Sequence, residues 1–303
     1  MGKGVKRKSA QRGGAQSGGL ESGGVRRVGI VARSDSETAS RTAAELTDWL
    51  KRRGIEVAMD EVCRRTLGLK DVRTFDSQAS YDLVVVLGGD GTLLSVARSV
   101  TVPILGVNLG RLGFLTELPR RELYPSLVRI LAGDFEVEER SLFDIVLERT
   151  DGGRSTYRAF NDAVIGKNAL AKIVELEIEV GGHLVALYRC DGLIISTPSG
   201  ATAYNLSAGG PILYPALPVA VLTPICAHTL SLRPIVVPDS EAIQVTLITP
   251  GEEVFLTVDG QEGSRVDHLD KVSIRRCRST AKLIRLNDRT FYDSLREKLK
   301  WGG

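Results

Sequence analysis

Apolar residues follow two different rhythms along this chain, and the change falls near residue 141. In the first part, short apolar runs alternate with helical spacing. Residues 28–32 (VGIVA) predict a buried strand. Ser34, Asp35 and Ser36 offer helix-capping side chains, and Ala39, Ala43, Leu46 and Leu50 then fall on one helix face. Gly54 ends that helix, and residues 55–59 read as a second strand. Residues 83–87 (LVVVL) are wholly apolar, the pattern of a strand covered on both faces. A helix over 92–99, a strand over 104–107 and a helix from near Pro119 to near Gly133 complete the alternation. Strand and helix taking turns in this way predict a parallel α/β unit.

Past residue 141 the apolar stretches become short, β-rich and separated by turns: 173–180, 184–188, 193–196, 243–248, 254–258 and 272–274. Gly181-Gly182 between two of them is a hairpin signal. The expected fold class is therefore α/β plus β, with an N-terminal parallel α/β domain and a C-terminal, mostly antiparallel, β-sandwich-like domain. Residues 291–300 read as a helix with Phe291, Leu295 and Leu299 on one face. It has no partner within its own segment and is expected to pack back on the first domain. The expected divisions are a disordered basic tail over 1–24, an α/β domain over 25–140, a β-rich domain over 141–280, and a returning segment over 281–303.

Composition narrows the possibilities. At 303 residues the chain has room for two domains, and 43% hydrophobic content is ample for their cores. The net charge of +3 is a property of the tail: Lys3, Lys6, Arg7, Lys8 and Arg12 against Glu21 give +4 there and leave −1 elsewhere. Five scattered charges without aromatics favour a solubilising tail over a nucleic-acid arm. Cys63, Cys190, Cys226 and Cys277 lie far apart, which argues against a zinc site or a disulfide scaffold. No apolar run approaches the ~20 residues needed to span a bilayer, and the N-terminus lacks a signal-peptide segment. A cytoplasmic protein, with no membrane partner, is the expectation.

The most informative stretch is Gly88-Gly89-Asp90-Gly91-Thr92, which follows the LVVVL strand and opens a helix. Glycines there let the backbone approach a ligand, and free N–H groups at a helix start suit phosphate. One fixed carboxylate in such a turn makes sense if Asp90 handles a proton or Mg²⁺. By itself the pentapeptide is equally compatible with a tight turn in which Asp90 caps the helix.

Three later blocks accompany it: Phe160-Asn161-Asp162-Ala163, the long run from Asp191 through Ser199-Gly200-Ala201-Thr202-Ala203-Tyr204 to Pro211, and residues 223–231 followed by Arg233-Pro234. With these blocks in this order, the chain from about Val25 to Trp301 resembles the bacterial NAD kinases. The turn alone is shared with phosphofructokinases and lipid kinases. A lipid or sugar-phosphate kinase and a non-catalytic NAD(P)-binding regulator stay open as alternatives.

The resemblance implies transfer of the γ-phosphoryl group of ATP to the adenosine-ribose 2′-hydroxyl of NAD, with a divalent cation, by the family's habit Mg²⁺. It makes Asp90 the proton acceptor, and Gly88, Gly89, Gly91 and Thr92 the phosphate loop with Gly91 beside the dinucleotide. It assigns ribose and adenine contacts to Asn161 and Asp162, and a basic contact to Lys172. Arg189 and Asp191 fall near the amide-bearing end of the dinucleotide. Thr202, Ala203, Tyr204, Asn205, Leu206 and Ser207 line the pocket, with Gln261 as a further contact. Residues Asn108, Gly110, Leu112, Gly113 and Phe114 match a glycine-rich stretch that shapes the wall beneath the phosphate loop. Ala201 replaces a hydroxyl residue of the family. Homodimers or homotetramers are implied, and polyphosphate as an alternative donor is left open. His228 reads as a core histidine, and neither His183 nor His268 suggests a metal site.

Overall fold

The computed structural model describes residues 16–17, 24–110, 113–116, 118–169, 171–229, 231–286 and 290–301. Most of the expected 1–24 tail, together with Arg111, Leu112 and Leu230 of the motifs, lies outside the described residues. Gln16–Ser17 (β1), inside the stretch expected to be disordered, pairs antiparallel with residues 136–137.

The first unit runs β2 (Arg27–Ala32), α1 (Glu37–Lys51), β3 (Glu56–Met59), α2 (Glu61–Thr66), β4 (Arg73–Thr74), β5 (Leu83–Gly88), α3 (Asp90–Ala97), β6 (Ile104–Asn108), β7 (Leu118–Pro119), α4 (Leu123–Leu131) and β8 (Glu136–Arg140). The α1 face expected from the spacing is the buried one, and Ser36 caps the helix by accepting from the Ala39 N–H at 3.2 Å. Strand β5 is buried at every position, as its unbroken apolar run requires.

The second unit contributes β9 (Phe143–Glu148), β10 (Arg154–Ala159), β11 (Asp162–Lys167), β12 (Val174–Val180), β13 (His183–Cys190), β14 (Gly192–Ser196), the short α5 (Tyr204–Ser207), β15 (Val219–Ile225), β16 (Ile235–Pro238), β17 (Ile243–Leu247), β18 (Val254–Val258), β19 (Glu262–Val266) and β20 (Lys271–Arg276). The chain then closes with β21 (Ala281–Arg285) and α6 (Phe291–Leu299).

These strands form one nine-stranded sheet and two six-stranded sheets. The large sheet has β3, β2, β5 and β6 side by side and parallel. Strand β21 joins it parallel to β6 and antiparallel to β8. The return to the first unit is thus made by a strand ahead of the terminal helix, while Phe291 and Tyr292 of α6 meet Tyr214 of the second unit. The two six-stranded sheets, ordered β10-β9-β20-β17-β12-β13 and β16-β15-β14-β11-β18-β19, are antiparallel throughout and enclose a core of Phe143, Ile165, Leu176, Leu193, Val245 and Leu256, among others. Gly181 and Gly182, both at positive φ, make the β12–β13 hairpin turn.

A third apolar cluster joins the units. Leu93, Leu94 and Ala97 of α3 pack with Val84 and Val86 of β5, and with Leu142, Phe160 and Cys277 from the start and end of the β unit. Phe160 is fully buried and immediately precedes Asn161-Asp162. Packing alone therefore brings α3 against the motif of the second unit.

Candidate active site

Asp90 is the first residue of α3, and Gly89 before it supplies no side-chain cap. The first-turn N–H groups of that helix therefore lack an internal partner, as at any helix start, and they suit an anion. The glycines divide their work. A Cβ on Gly88 would lie 2.6 Å from the Thr92 hydroxyl oxygen, so Gly88 serves packing, whereas Gly89 and Gly91 face open space.

The Asp90 carboxylate is held from the opposite side. Its Oδ2 accepts the Phe114 N–H at 2.8 Å; its Oδ1 accepts the N–H groups of Leu115 and Thr116 at 3.2 and 3.0 Å and the Thr116 hydroxyl at 2.9 Å. A carboxylate has about four lone-pair sites, so Oδ1 is crowded and Oδ2 keeps room for another donor. Gly113 makes this approach possible, because a Cβ there would stand 1.9 Å from Asp90 Oδ1. Asn108 braces the same loop by donating to the Thr116 hydroxyl oxygen at 3.1 Å.

Asp162, the first residue of β11, has an opposite environment. It is buried, and its carboxyl accepts no hydrogen bond among the described residues. Loss of water, and then repulsion from Asp259, push its carboxyl up to about 7. Asp259 sits in the β18–β19 turn at positive φ and accepts the N–H groups of Phe160, Asn161 and Asp162 at 2.9, 2.7 and 3.0 Å. Burial raises its pKa too, opposed by those three N–H bonds and by Arg98.

Gln261, in the same turn, donates from Nε2 to the Gly91 carbonyl at 2.9 Å and accepts from Arg98 at 2.8 Å. The second unit's turn is therefore bonded directly to the helix carrying Asp90. The long motif joins this edge as well: Asn161 O accepts the Thr197 N–H at 2.8 Å, and a Cβ on Gly200 would strike that same oxygen at 2.2 Å. Thr202, Ala203 and Leu206 are half-buried, and Tyr204 and Ser207 are exposed.

The remaining expected residues have definite protein partners or positions. Asn205 is fully buried, and its amide is taken up by Thr223, Ala201 and Pro211, so it supports the 201–211 turn from beneath. Arg189 and Asp191 share a face but do not pair with each other: Arg189 meets Glu175 at 3.2 Å, and Asp191 meets Lys167 at 3.5 Å. Lys172 is exposed in the loop before β12 and bonds Glu252 through its backbone N–H; the ammonium that reaches Asp191 belongs to Lys167. Cys190, between them in sequence, is buried. His228 is exposed, contrary to the core position expected, because β15 ends at Ile225 and Cys226 at φ 47° turns the chain out of the sheet.

A cavity of about 860 Å³ opens beside this edge, between the Phe114-Leu115 loop, β8, Ser199, Thr202, Tyr214 and α6. Arg140 on its wall is buried and donates to the Ser199 hydroxyl oxygen at 3.2 Å. Among the described residues, no three or more His, Cys, Asp or Glu side chains converge as a metal site, and no helix is long and apolar enough to cross a membrane.

Residues 28–135 match the family model for the ATP-NAD kinase N-terminal domain, and residues 160–286 match that for the C-terminal domain. NAD kinase of Geotalea daltonii is 45% identical over 281 residues, covering 91% of this chain and 99% of that protein. NAD kinase of Geobacter sulfurreducens is 44% identical over 281 residues, with the same coverage. Among solved structures, yeast NADH kinase complexed with NADH superposes with a TM-score of 0.87 at 23% identity, over 93% of this chain and 89% of that one, a likeness of fold. An NAD kinase from Archaeoglobus fulgidus in complex with ATP gives 0.69 at 25% identity, over 91% and 100%.

Proposed function

The chain belongs to the NAD kinase family, and from that membership we propose the roles of its residues. The reaction moves the γ-phosphoryl group of ATP to the adenosine-ribose 2′-hydroxyl of NAD, giving NADP and ADP. Phosphoryl transfer asks the protein chiefly for positioning and for neutralisation of charge. We assign the proton acceptor to Asp90. The observation that carries this assignment is its carboxylate, fixed by three backbone N–H groups and one hydroxyl, with Oδ2 still able to accept the ribose hydroxyl.

Gly89, Gly91 and the uncapped start of α3 then face the phosphates. Asn161 and Asp162 take the ribose and adenine of NAD, and Thr202, Ala203 and Tyr204 close the pocket. The cavity bounded by Phe114, Ser199 and Thr202 is where ATP reaches this edge. Among the described residues no group of three or more His, Cys, Asp or Glu side chains converges; a divalent cation held by the triphosphate, which commonly supplies most of its ligands, would neutralise charge on the transferring group. In this reading the NAD-binding domain is 141–280, with 25–140 and the returning 281–303 forming the phosphate-loop domain.

A second reading gives the proton to Asp162, because a carboxyl near 7 is well matched to general-base work. Exposed Leu184 and Leu187 on the edge strand β13, with Arg189 on the same strand, support a homodimer or homotetramer built through the β unit. The full chain, incubated with NAD, Mg²⁺ and either ATP or polyphosphate, is expected to form NADP from ATP, read by a coupled dehydrogenase. Failure to form NADP from either donor would overturn the assignment, and phosphorylation of diacylglycerol instead would replace it with the lipid-kinase alternative.

A further inference from the structure

Arg98 belongs to none of the sequence motifs, yet it reaches across the contact between the two units. It is the C-cap residue of α3, its side chain is 8% exposed, and its buried Nε makes no hydrogen bond among the described residues. Side chains on a helix lean toward its N-terminus, and the guanidinium of Arg98 enters the 259–262 turn of the second unit. Its Nη2 donates to Gln261 Oε1 at 2.8 Å and lies 3.0 Å from Glu262 Oε1. Its Nε stands 3.5 Å from Asp259 Oδ2, and that carboxylate is completely buried.

The same turn is tied to the other end of α3 through Gln261 and the Gly91 carbonyl. Asp259 in turn holds the backbone N–H groups of Asn161 and Asp162. One short turn thus bonds to both ends of the helix that begins with Asp90 and to the strand end that carries the dinucleotide-facing pair.

We propose that Arg98 is a positioning residue for phosphoryl transfer, fixing the 259–262 turn, and with it Asn161-Asp162, against the Asp90 end of α3. This rests on the NAD kinase reading of those two turns. Loss of one partner from a buried ion pair destabilises any fold, because the other charge is left without compensation. Stability alone therefore does not distinguish a positioning role from charge balance, and the test needs a variant in which the charges cancel.

Steady-state kinetics of the full chain with Arg98→Met, Arg98→Lys, Asp259→Asn and the double variant Arg98→Met/Asp259→Asn supply that distinction. The double variant removes both charges, so its melting temperature is expected to recover relative to Arg98→Met. Its kcat is expected to stay depressed, about 10- to 100-fold below wild type and below that of Asp259→Asn alone, with the KM for ATP changed by no more than about twofold. Arg98→Lys keeps the charge without the fork and is expected to recover part of kcat. A double variant with wild-type kcat would show that Arg98 only balances charge and would overturn the proposal, as would unchanged kcat in Arg98→Met. If Arg98→Met does not fold, the double and Lys variants decide by the same criteria. A wild-type chain that forms no NADP overturns the kinase reading itself; a wild type that turns over beside an unimpaired double variant overturns only the tie.

Discussion

Asp90 and Asp162 are both carboxylates at the start of a regular element, and both face the same inter-unit edge, but their surroundings are inverted. Asp90 receives four hydrogen bonds from one loop. Asp162 receives none at its carboxyl among the described residues and lies beside a second buried acid, Asp259. The loop around Asp90 holds a fixed, oriented group. The pocket around Asp162 disfavours its charge, so in the absence of a ligand it resists ionisation. The contrast shows that a perturbed carboxyl and a positioned one are different assets: the first suits a binding partner that supplies donors of its own, and the second suits a step that needs a base in one place.

Breaking the cradle of Asp90 without touching its carboxylate is expected to have the largest effect short of removing that group. Gly113→Ala would place a methyl 1.9 Å from Oδ1, so the carboxylate must leave its donors. Turnover is expected to fall at least about 100-fold, measured as kcat for NADP formation, with a lower melting temperature. Wild-type turnover in this variant would remove the cradle from the account.

On the other side, Asp162→Asn is expected to stabilise the protein while weakening NAD binding. The folded-state pKa of Asp162 is raised, so the folded protein holds this proton in a range where the unfolded chain has released it. Stability contributed by the group therefore falls as pH rises from about 4 to about 7, and the full penalty is present above 7. Asp162→Asn should raise unfolding stability at pH 8 by on the order of 1–3 kcal/mol, with the gain fading toward pH 4 in urea titrations. An equal gain at both pH values would mean that ionisation of Asp162 is not its cause.

The smallest effect is expected from Thr116→Val. It removes the hydroxyl contacts to Asp90 and Asn108 and keeps the backbone N–H. A loss of about 1 kcal/mol and a severalfold drop in kcat are expected, and a drop as large as that of Gly113→Ala would mean the hydroxyl, not the loop backbone, sets Asp90.

Much of this fold is legible in the sequence. The alternation through residue 140 and the short strands beyond it follow from apolar spacing, and Asp90 stands out as a charge in a glycine turn. The supports of these residues were not readable, because they come from distant parts of the chain. Asp259 and Gln261 lie 97 and 170 residues from the groups they hold, and Arg98 reads locally as an ordinary helix-end cation. Asn205 sits inside a binding motif but bonds inward. The Arg189–Asp191 spacing gives a shared face correctly, while the partner of each lies on a neighbouring strand or segment. His228 reads as a core histidine from the resemblance of its motif, and one residue at positive φ carries it into solvent.

The most direct test compares NADP formation by Asp90→Asn and Asp162→Asn, side by side, at saturating NAD, ATP and Mg²⁺ and at pH 8. The expected result is a kcat reduced about 10²- to 10⁴-fold in Asp90→Asn, with NAD still bound by calorimetry. For Asp162→Asn the loss should fall mainly on the KM for NAD, with kcat within about tenfold of wild type. The reverse order, with Asp90→Asn turning over normally and Asp162→Asn inactive at saturation, would move the proton to Asp162 and contradict the assignment.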